Sequence, residues 1–311
     1  MRVALLSLYL PGSSKIGVGH QVHGLANALV DRGHDVTVLS PDEPGEGATY
    51  RWQAVAGGPP ARLVRVPVGR EKARMALIGA TEGLASMTAD RTVAISDATR
   101  RMAPWAGRVI PCGVDVAAFD GVPRADTEHP TILFVGTFAN RKRGRLLWEA
   151  FGEVVRPALP DAELWMVCDD APPVPGVRVL GRLSPRELVE AYRSAWVFCL
   201  PSSYEGFGVP YAEALAAGTP VVATPNPGAL EVLEDGRLGE LVDPGDLGPA
   251  LVRLLGDPQR RATLAAVGRG AAVCYDWSSV ATAYEQVYAE AIMSPTAHRP
   301  PPTAVAPVGM R

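Results

Sequence analysis

The chain has 311 residues and is 47% hydrophobic, which is enough for two domains at the usual ~100–200 residues per domain. Its formal net charge of −3 gives no reason to expect nucleic acid as a partner. No apolar stretch approaches the ~20 residues that span a bilayer, and the four cysteines lack CxxC spacing, which favours a cytoplasmic protein with reduced thiols. Peripheral contact with a membrane and the oligomeric state stay open.

In the first third of the chain, short apolar runs alternate with helical patterns, as in a parallel α/β sheet. Gly17 and Gly19 come just before the first predicted helix and form a glycine-rich loop that would face a cleft, where His20 is a candidate ligand contact. The loop lacks the third glycine of a dinucleotide fingerprint, so a nicotinamide site is not favoured. Strands are predicted at residues 2–10, 35–40, 62–66, 92–96 and 108–111, and a helix at 19–32.

A weakly periodic linker, residues 113–130, separates the first unit (1–112) from a second βα series (131–292) with a closing C-terminal helix at 278–292. The remainder, 293–311, is rich in proline and predicts a disordered tail. Two consecutive doubly wound units predict two Rossmann-like α/β domains facing a cleft, with ligands beyond the carboxyl ends of the strands. Strands of the second unit are predicted at 131–135, 163–168, 177–180, 195–200, 219–223 and 240–242, and a further helix at 210–217.

The stretch YEGFGVPYAE places a glycine-rich turn between a predicted strand and a helix. Gly206 and Gly208 let the backbone approach a ligand, and the helix N-terminus favours an anion such as phosphate. Glu205 precedes the turn and Glu213 lies about one turn into the helix. Because a carboxylate can accept two hydrogen bonds from a vicinal diol, the arrangement suits a nucleotide sugar. The alternative is a solvated Glu205 and a Glu213 that only stabilises its helix.

The loop after the first strand of the second unit, GTFANRKRG (136–144), concentrates Arg141, Lys142 and Arg143. These residues predict a cationic clamp on the same diphosphate, and the alternative is a solvated basic loop. Asp169 and Asp170 are adjacent rather than spaced as D-x-D, so neither a metal nor another cofactor is predicted.

These segments resemble the retaining glycosyltransferases of family 4, which have the GT-B fold. The resemblance covers nearly the whole second unit, and Glu205 and Glu213 match the family's E-x7-E motif. The segments that carry it are RGHDVTVL (32–39), VIPCGVD (109–115), FVGTFANRKRG (134–144), PSSYEGFGVPYAEALAAGTPVVAT (201–224) and GELVDPGD (239–246).

The resemblance implies roles for these positions. Glu213 would hold the donor ribose, Glu205 would lie near the transferred sugar, and Lys142 would bind the diphosphate. The family's arginine after the loop glycine is here Thr137, so that Arg141 or Arg143 is the candidate substitute. The implied catalytic set is Glu205, Lys142 and Arg141, and the implied donor-binding set is Glu213, Gly206, Phe207, Gly208, Val209, Gly136, Thr137, Arg143 and Leu183.

In the first unit the chain departs from the family, which has further βα structure with a histidine-bearing loop where this sequence has a candidate junction near 68–70. The implied function is a retaining, metal-independent transferase that moves a hexose from a nucleoside-diphosphate sugar to a hydroxyl of a small-molecule, glycan or lipid acceptor. Glu205 would orient the sugar rather than act as a nucleophile. A catalytically impaired homologue acting as a partner subunit, and an epimerase or phosphorylase of the same fold, remain as alternatives.

Overall fold

The computed structural model describes residues 1–6, 16–41, 62–66, 89–103 and 106–293, so the 68–70 segment and the tail beyond 293 lie outside it. The first unit contains a parallel sheet in the order β1-β2-β3, while β4 pairs separately with β5. These strands are β1 (Arg2–Leu6), β2 (Asp35–Pro41), β3 (Arg62–Val66), β4 (Val93–Ala94) and β5 (Arg108–Val109).

The first unit has two described helices, α1 (Ile16–Asp31) and α2 (Asp97–Met102). Because α1 begins at Ile16, Gly17 and Gly19 lie in its first turn and not in a loop before it. Glycine disfavours a helix by only about 1 kcal/mol, and the packing of α1 against the sheet and the last helix outweighs that cost. The glycine-loop prediction is therefore corrected.

The second unit is built on a six-stranded parallel sheet in the order β8-β7-β6-β9-β10-β11. Counted from its own first strand, this is the 3-2-1-4-5-6 order of doubly wound folds. The order reverses between β6 and β9, so the loops after these two strands meet at the carboxyl edge of the sheet. The strands are β6 (Thr131–Val135), β7 (Glu163–Val167), β8 (Val177–Val179), β9 (Val197–Leu200), β10 (Val221–Ala223) and β11 (Glu240–Leu241).

Helices cover both faces of this sheet, as the fully buried strands β9 and β10 require. The predicted linker contains a helix that its periodicity does not reveal: Asp115 caps α3 and Phe119 is buried against the ring of Tyr192. The helices are α3 (Val116–Asp120), α4 (Gly144–Ala150, continued by a π turn at Phe151–Val155 and an α-helical turn at Arg156–Ala158), α5 (Pro185–Ser194), α6 (Val209–Ala217), α7 (Pro227–Val232), α8 (Leu247–Gly256), α9 (Pro258–Ala272) and α10 (Trp277–Met293).

The last helix, α10, packs on the first unit. Ala281 is buried in the cluster formed by α1 and β2, and Val280 and Val287 pack against Ile110. On its polar side, Glu285 accepts two hydrogen bonds from the Arg32 guanidinium, at 2.8 and 2.7 Å. The helix expected to close the donor domain thus closes the first unit instead. None of the helices in the described ranges is both long and apolar enough to cross a membrane.

The chain crosses between the two units twice, and the crossings run side by side. The Val114 N–H donates to the Tyr275 carbonyl at 2.7 Å. The Gln21 side chain donates to the Gly113 carbonyl and accepts from its N–H, at 3.1 and 2.9 Å. The Trp277 ring lies directly between the backbones of Gly24 and Gly113, where a Cβ on either would overlap it. Both crossings are therefore fixed to each other and to α1.

Candidate active site

The loops after β6 and β9 meet where the strand order reverses, and this brings the three predicted catalytic residues together. The Ser203 N–H donates to the Arg141 carbonyl at 2.8 Å, which joins the two loops. Lys142 Nζ lies 2.8 Å from Glu205 Oε1, and Arg141 Nη1 lies 2.7 Å from Glu205 Oε2. One carboxylate therefore holds two of the three cations of the loop after β6.

The electrostatics of this cluster follow from its burial. Glu205 is only 5% exposed, and the Ser202 hydroxyl donates to its Oε1 at 2.7 Å. Burial raises the pKa of Glu205, but Lys142, Ser202 and Arg141 together hold it below its ordinary value. Burial, with the nearby charge of Arg141, lowers the pKa of Lys142 below its ordinary value against the opposing effect of Glu205. Arg141 is about half exposed, so its guanidinium keeps N–H donors for a ligand in the cleft.

The backbone of the loop after β6 has an unusual conformation at two residues. Asn140 and Arg143 both adopt left-handed conformations, with φ of 62° and 51°, which are uncommon for residues other than glycine. Arg143 stands at the N-cap of α4, and its side chain forms no ion pair with a described residue. Thr137 is exposed, and its hydroxyl donates within the loop to the Ala139 carbonyl. Arg141 is thus the arginine that accompanies Lys142, and Gly136 packs beside that lysine.

The predicted glycine turn leads straight into α6. Gly208 has φ +96°, and a Cβ there would lie 2.4 Å from the Tyr211 ring, so a side chain would not fit. Phe207 is buried with its ring edge-on to Tyr275. The helix then begins at Val209 without a side-chain cap. Pro210 has no N–H and the Tyr211 N–H donates to the Gly208 carbonyl at 2.9 Å, so the Val209 N–H is the group of this first turn that is available to an anion. Gly206 faces Thr99 of α2, so the turn lies against the first unit.

The other end of α6 is held by arginine side chains. Arg193 donates to the Ala217 carbonyl at 2.9 Å, Arg124 to the Gly218 carbonyl at 2.8 Å, and Arg269 to the Ala216 carbonyl at 2.9 Å. Cations at a helix C-terminus satisfy its last carbonyls and complement its dipole. The helix that carries the glycine turn and Glu213 is therefore anchored at the end away from the cleft.

Glu213, the second acid of the motif, lies on α6 and is partly buried. The Tyr192 hydroxyl donates to its Oε2 at 2.9 Å. Burial raises the pKa of Glu213 to about 7, against the opposing effects of the Tyr192 hydrogen bond and the Lys142 charge. Its carboxyl group thus changes protonation near neutral pH.

Two residues that support the glycine turn were not predicted from the sequence. The Asn226 side chain caps α7 and donates to the Ser202 carbonyl at 3.2 Å, which fixes the start of the turn. The Gly228 N–H donates to the Glu205 carbonyl at 2.9 Å, and a Cβ on Gly228 would lie 2.4 Å from the Phe207 oxygen. The sequence TPNPG after β10 signals a capped helix start, but not that this start supports the turn.

The remaining predicted site residues lie around this centre. Leu183 is partly buried between β8 and α5, at the same carboxyl edge of the sheet. Gly17, Gly19 and His20 lie in the N-terminal part of α1, and the His20 side chain is outside the described residues. Within the described ranges, no three residues among His, Cys, Asp and Glu come close enough to hold a metal ion.

The two units face each other across this site. The Asp97 N–H, at the start of α2, donates to both carboxylate oxygens of Glu231 on α7, at 3.0 and 2.9 Å. The Tyr204 hydroxyl, next to Glu205, lies 3.8 Å from the Met102 sulfur. The site therefore lies where the two units meet.

Known proteins are similar to this chain in sequence and in fold. Residues 129–257 match the model of the family described as glycosyl transferases group 1. The chain is 36% identical over 224 residues to a phosphatidyl-myo-inositol mannosyltransferase of Mycobacterium tuberculosis, covering 63% of this chain and 58% of that relative. The chain thus spans somewhat more than half the length of the curated relatives that it matches.

Among solved structures, a sucrose-phosphate synthase from Thermosynechococcus elongatus superposes with a TM-score of 0.71 at 20% identity, covering 94% of this chain and 99% of that chain. Anabaena HepE, in complex with UDP and glucose, superposes with a TM-score of 0.67 at 15% identity, covering 93% of this chain and 99% of that chain. These likenesses show the fold. The two-domain architecture is GT-B, and the match of residues 129–257 to the group 1 glycosyl transferases agrees with the resemblance to family 4.

Proposed function

We propose that this protein is a retaining glycosyltransferase that moves a hexose from a nucleoside-diphosphate sugar to an acceptor hydroxyl without a metal ion. One observation carries the proposal: Lys142 and Arg141 converge beside the uncapped N-terminus of α6, with Glu213 further along the same helix. Two cations and a helix N-terminus suit a diphosphate. A half-buried carboxylate beyond them suits the diol of a ribose.

The same groups would stabilise the departure of the nucleoside diphosphate. As the bond between the anomeric carbon and the phosphate oxygen breaks, negative charge grows on that oxygen, and Lys142, Arg141 and the Val209 N–H at the start of α6 are positioned to stabilise it. They supply the positive charge that a divalent cation supplies in metal-dependent enzymes, which is the reason for proposing metal independence.

The acceptor hydroxyl would then attack the anomeric carbon from the face that the diphosphate leaves, and its proton would pass to the departing phosphate oxygen. The new bond replaces the old one with the same configuration. Glu205 is unsuited to act as a nucleophile, because Lys142, Arg141 and Ser202 already engage its two oxygens. Its function in this proposal is to hold the two cations where the diphosphate binds, at the sugar end of the site.

The named relative points to a mannosyl donor, and GDP-mannose and UDP-glucose are suitable first probes. A donor at 100 times its Kd should raise the free energy of unfolding by about 2.7 kcal/mol, which thermal denaturation detects. We expect the parent to show this shift with or without EDTA, and we expect Glu213→Ala and Lys142→Ala to abolish it. Arg145→Ala is the matched control, because Arg145 is 74% exposed and pairs with Glu149. If both site variants bind a probe as well as the parent does, the donor site is elsewhere.

A second candidate is a homologue that binds the donor but does not transfer it. The observation that favours it is the described part of the first unit, in which the β4–β5 pair is separate from the β1-β2-β3 sheet. Incubation with donor and a panel of glycan, lipid and small-molecule acceptors separates the two. A glycosylated product supports the transferase, whereas saturable binding without product in any acceptor mixture supports the second candidate. An epimerised donor or a released sugar phosphate would indicate a different reaction at the same site.

A further inference from the structure

Tyr192 is fixed in place beside Glu213. It lies on α5 and is completely buried, with its ring packed against Phe198 and Phe119 at centroid distances of 5.2 and 6.0 Å. Its own carbonyl accepts a 2.6 Å hydrogen bond from the Thr219 hydroxyl. Its hydroxyl lies 2.9 Å from Glu213 Oε2, and its next acceptor, the Pro210 carbonyl, is at 3.4 Å. The aromatic packing therefore aims the hydroxyl at one oxygen of Glu213.

We infer that Tyr192 is the positioning residue of Glu213: its hydroxyl fixes Oε2 and leaves Oε1 to accept the hydroxyl groups of the donor ribose. The inference rests on the proposed function, in which Glu213 binds that ribose. Tyr192 would not touch the donor, because it is buried behind the helix that presents the carboxylate. It acts on the donor only through the orientation and charge of Glu213.

The protonation chemistry supports this role. Burial raises the pKa of Tyr192 well above its ordinary value, so the hydroxyl remains a donor throughout the neutral range. An ionised carboxylate can only accept, and a hydrogen bond donated to it favours the charged form. Among the described residues, the titratable groups that act on Glu213 are Tyr192 on α5 and Lys142 in the loop after β6. Without the hydroxyl, Lys142 alone would oppose the effect of burial.

Tyr192→Phe removes the hydroxyl and keeps the ring packing. Tyr211→Phe is the matched control for the titration of Glu213, because Tyr211 is also completely buried, and its hydroxyl donates to the Leu200 carbonyl and accepts from Asn226 but forms no hydrogen bond with Glu213. The affinity for GDP-mannose and UDP-glucose would be measured by calorimetry from pH 6 to 9. The loss of one hydrogen bond to a charged group should weaken binding about tenfold at pH 7.

The pH dependence separates positioning from packing. In the parent, affinity should rise as Glu213 ionises near pH 7. In Tyr192→Phe the midpoint of this rise should shift to a pH about one unit higher, so that much of the affinity returns at pH 9. Tyr211→Phe should leave the midpoint of the rise where it is in the parent. A loss in Tyr192→Phe that is equal at every pH, or an equal shift in Tyr211→Phe, would overturn the inference.

A measurement without donor keeps this inference distinct from the proposed function. The Glu213 carboxyl can be titrated directly by 13C NMR in the ligand-free protein, and we expect its midpoint to rise in Tyr192→Phe and to stay unchanged in Tyr211→Phe. If the midpoint rises but no probe binds to the parent, the proposed function fails while the contact stands. Suppose instead that a probe binds and that Glu213→Gln weakens its binding. If Tyr192→Phe then moves neither the midpoint of the affinity curve nor the midpoint of the NMR titration, the positioning role alone fails.

Discussion

Lys142 and Glu205 form one buried ion pair, with Nζ 2.8 Å from Oε1 and side chains only 15% and 6% exposed. The first acid of the E-x7-E motif therefore balances the charge of the cation that the proposed function places on the diphosphate. Removing one member of such a pair leaves the other buried without compensation, which is more costly than replacing both. The stability of this cleft and its capacity to bind an anion are thus linked through a single contact.

Lys142→Met should lower the free energy of unfolding by about 3 kcal/mol, because it leaves the Glu205 carboxylate with Arg141 as its remaining cation. The double variant Lys142→Met/Glu205→Gln should recover at least half of that loss without recovering donor binding. Urea denaturation gives the stabilities and calorimetry gives the binding. Equal stability of the single and double variants would show that the two side chains are not energetically coupled.

Glu213→Gln should stabilise the protein at alkaline pH. The folded-state pKa of Glu213 is about 7, above its ordinary value of 4.5. Between these two pH values the carboxyl group is protonated in the folded state and ionised in the unfolded state. That contribution to stability is complete below about pH 4.5 and is lost as the pH rises through 7. We expect the variant to exceed the parent by about 2 kcal/mol at pH 8 and to equal it near pH 4. A difference that is constant with pH would contradict this assignment.

Gly228→Ala should displace the glycine turn. The added Cβ would lie 2.4 Å from the Phe207 oxygen and 2.8 Å from Glu205 Cβ, so the backbone must move. A loss of about 2 kcal/mol in stability and at least tenfold in donor affinity is expected. Gly270→Ala is the control: the position, in α9, has open space around it, and alanine should stabilise the helix by up to about 1 kcal/mol. Normal donor affinity in Gly228→Ala would show that the turn tolerates the shift.

Arg193→Ala should destabilise the protein through the C-terminal end of α6. Its guanidinium donates to the carbonyls of Ala217 and Val122, and both acceptors would lose a charged partner. We expect a loss of about 2 kcal/mol by thermal unfolding. Arg186→Ala, on the same helix α5 but 84% exposed and paired with Glu190, should change stability by less than about 0.5 kcal/mol. Similar losses in both variants would show that capping of α6 by Arg193 contributes nothing specific.

The sheets of this protein could be predicted from sequence because their strands are short apolar runs between turn signals. The run VFCL of β9 is completely buried, and its burial on both faces requires covering helices. The docking of α10 could not be predicted, because an apolar helix face containing Val280 and Val287 does not identify the surface that covers it. The five-residue helix α3 is too short for a periodic pattern, and the Asp115 cap and the burial of Phe119 explain it.

For the site, the position of ligands beyond the carboxyl ends of the strands was enough to place Lys142 and Glu205 at one site, because both lie in loops that follow strands of the second unit. The direct ion pair between them could not be predicted, since side-chain contact depends on the loop backbone, including the left-handed Arg143. The contact between Tyr192 and Glu213 could not be predicted from the sequence either, because it joins side chains on two different helices. Periodicity and motif spacing indicate which residues lie near the site, but they do not indicate which of these side chains contact one another.

The joined crossings at Val114 and Tyr275 determine how the cleft can change shape. They are the two places where the described chain passes from one unit to the other, so a relative rotation of the units would use them as its hinge. Phe207 stacks edge-on against Tyr275, so the glycine turn lies beside the hinge and would move little during such a rotation. The contact of Asp97 with Glu231 crosses the gap and would break when the domains part. Opening would therefore expose the donor groups as one preformed surface on the second domain, which α2 then covers on closure.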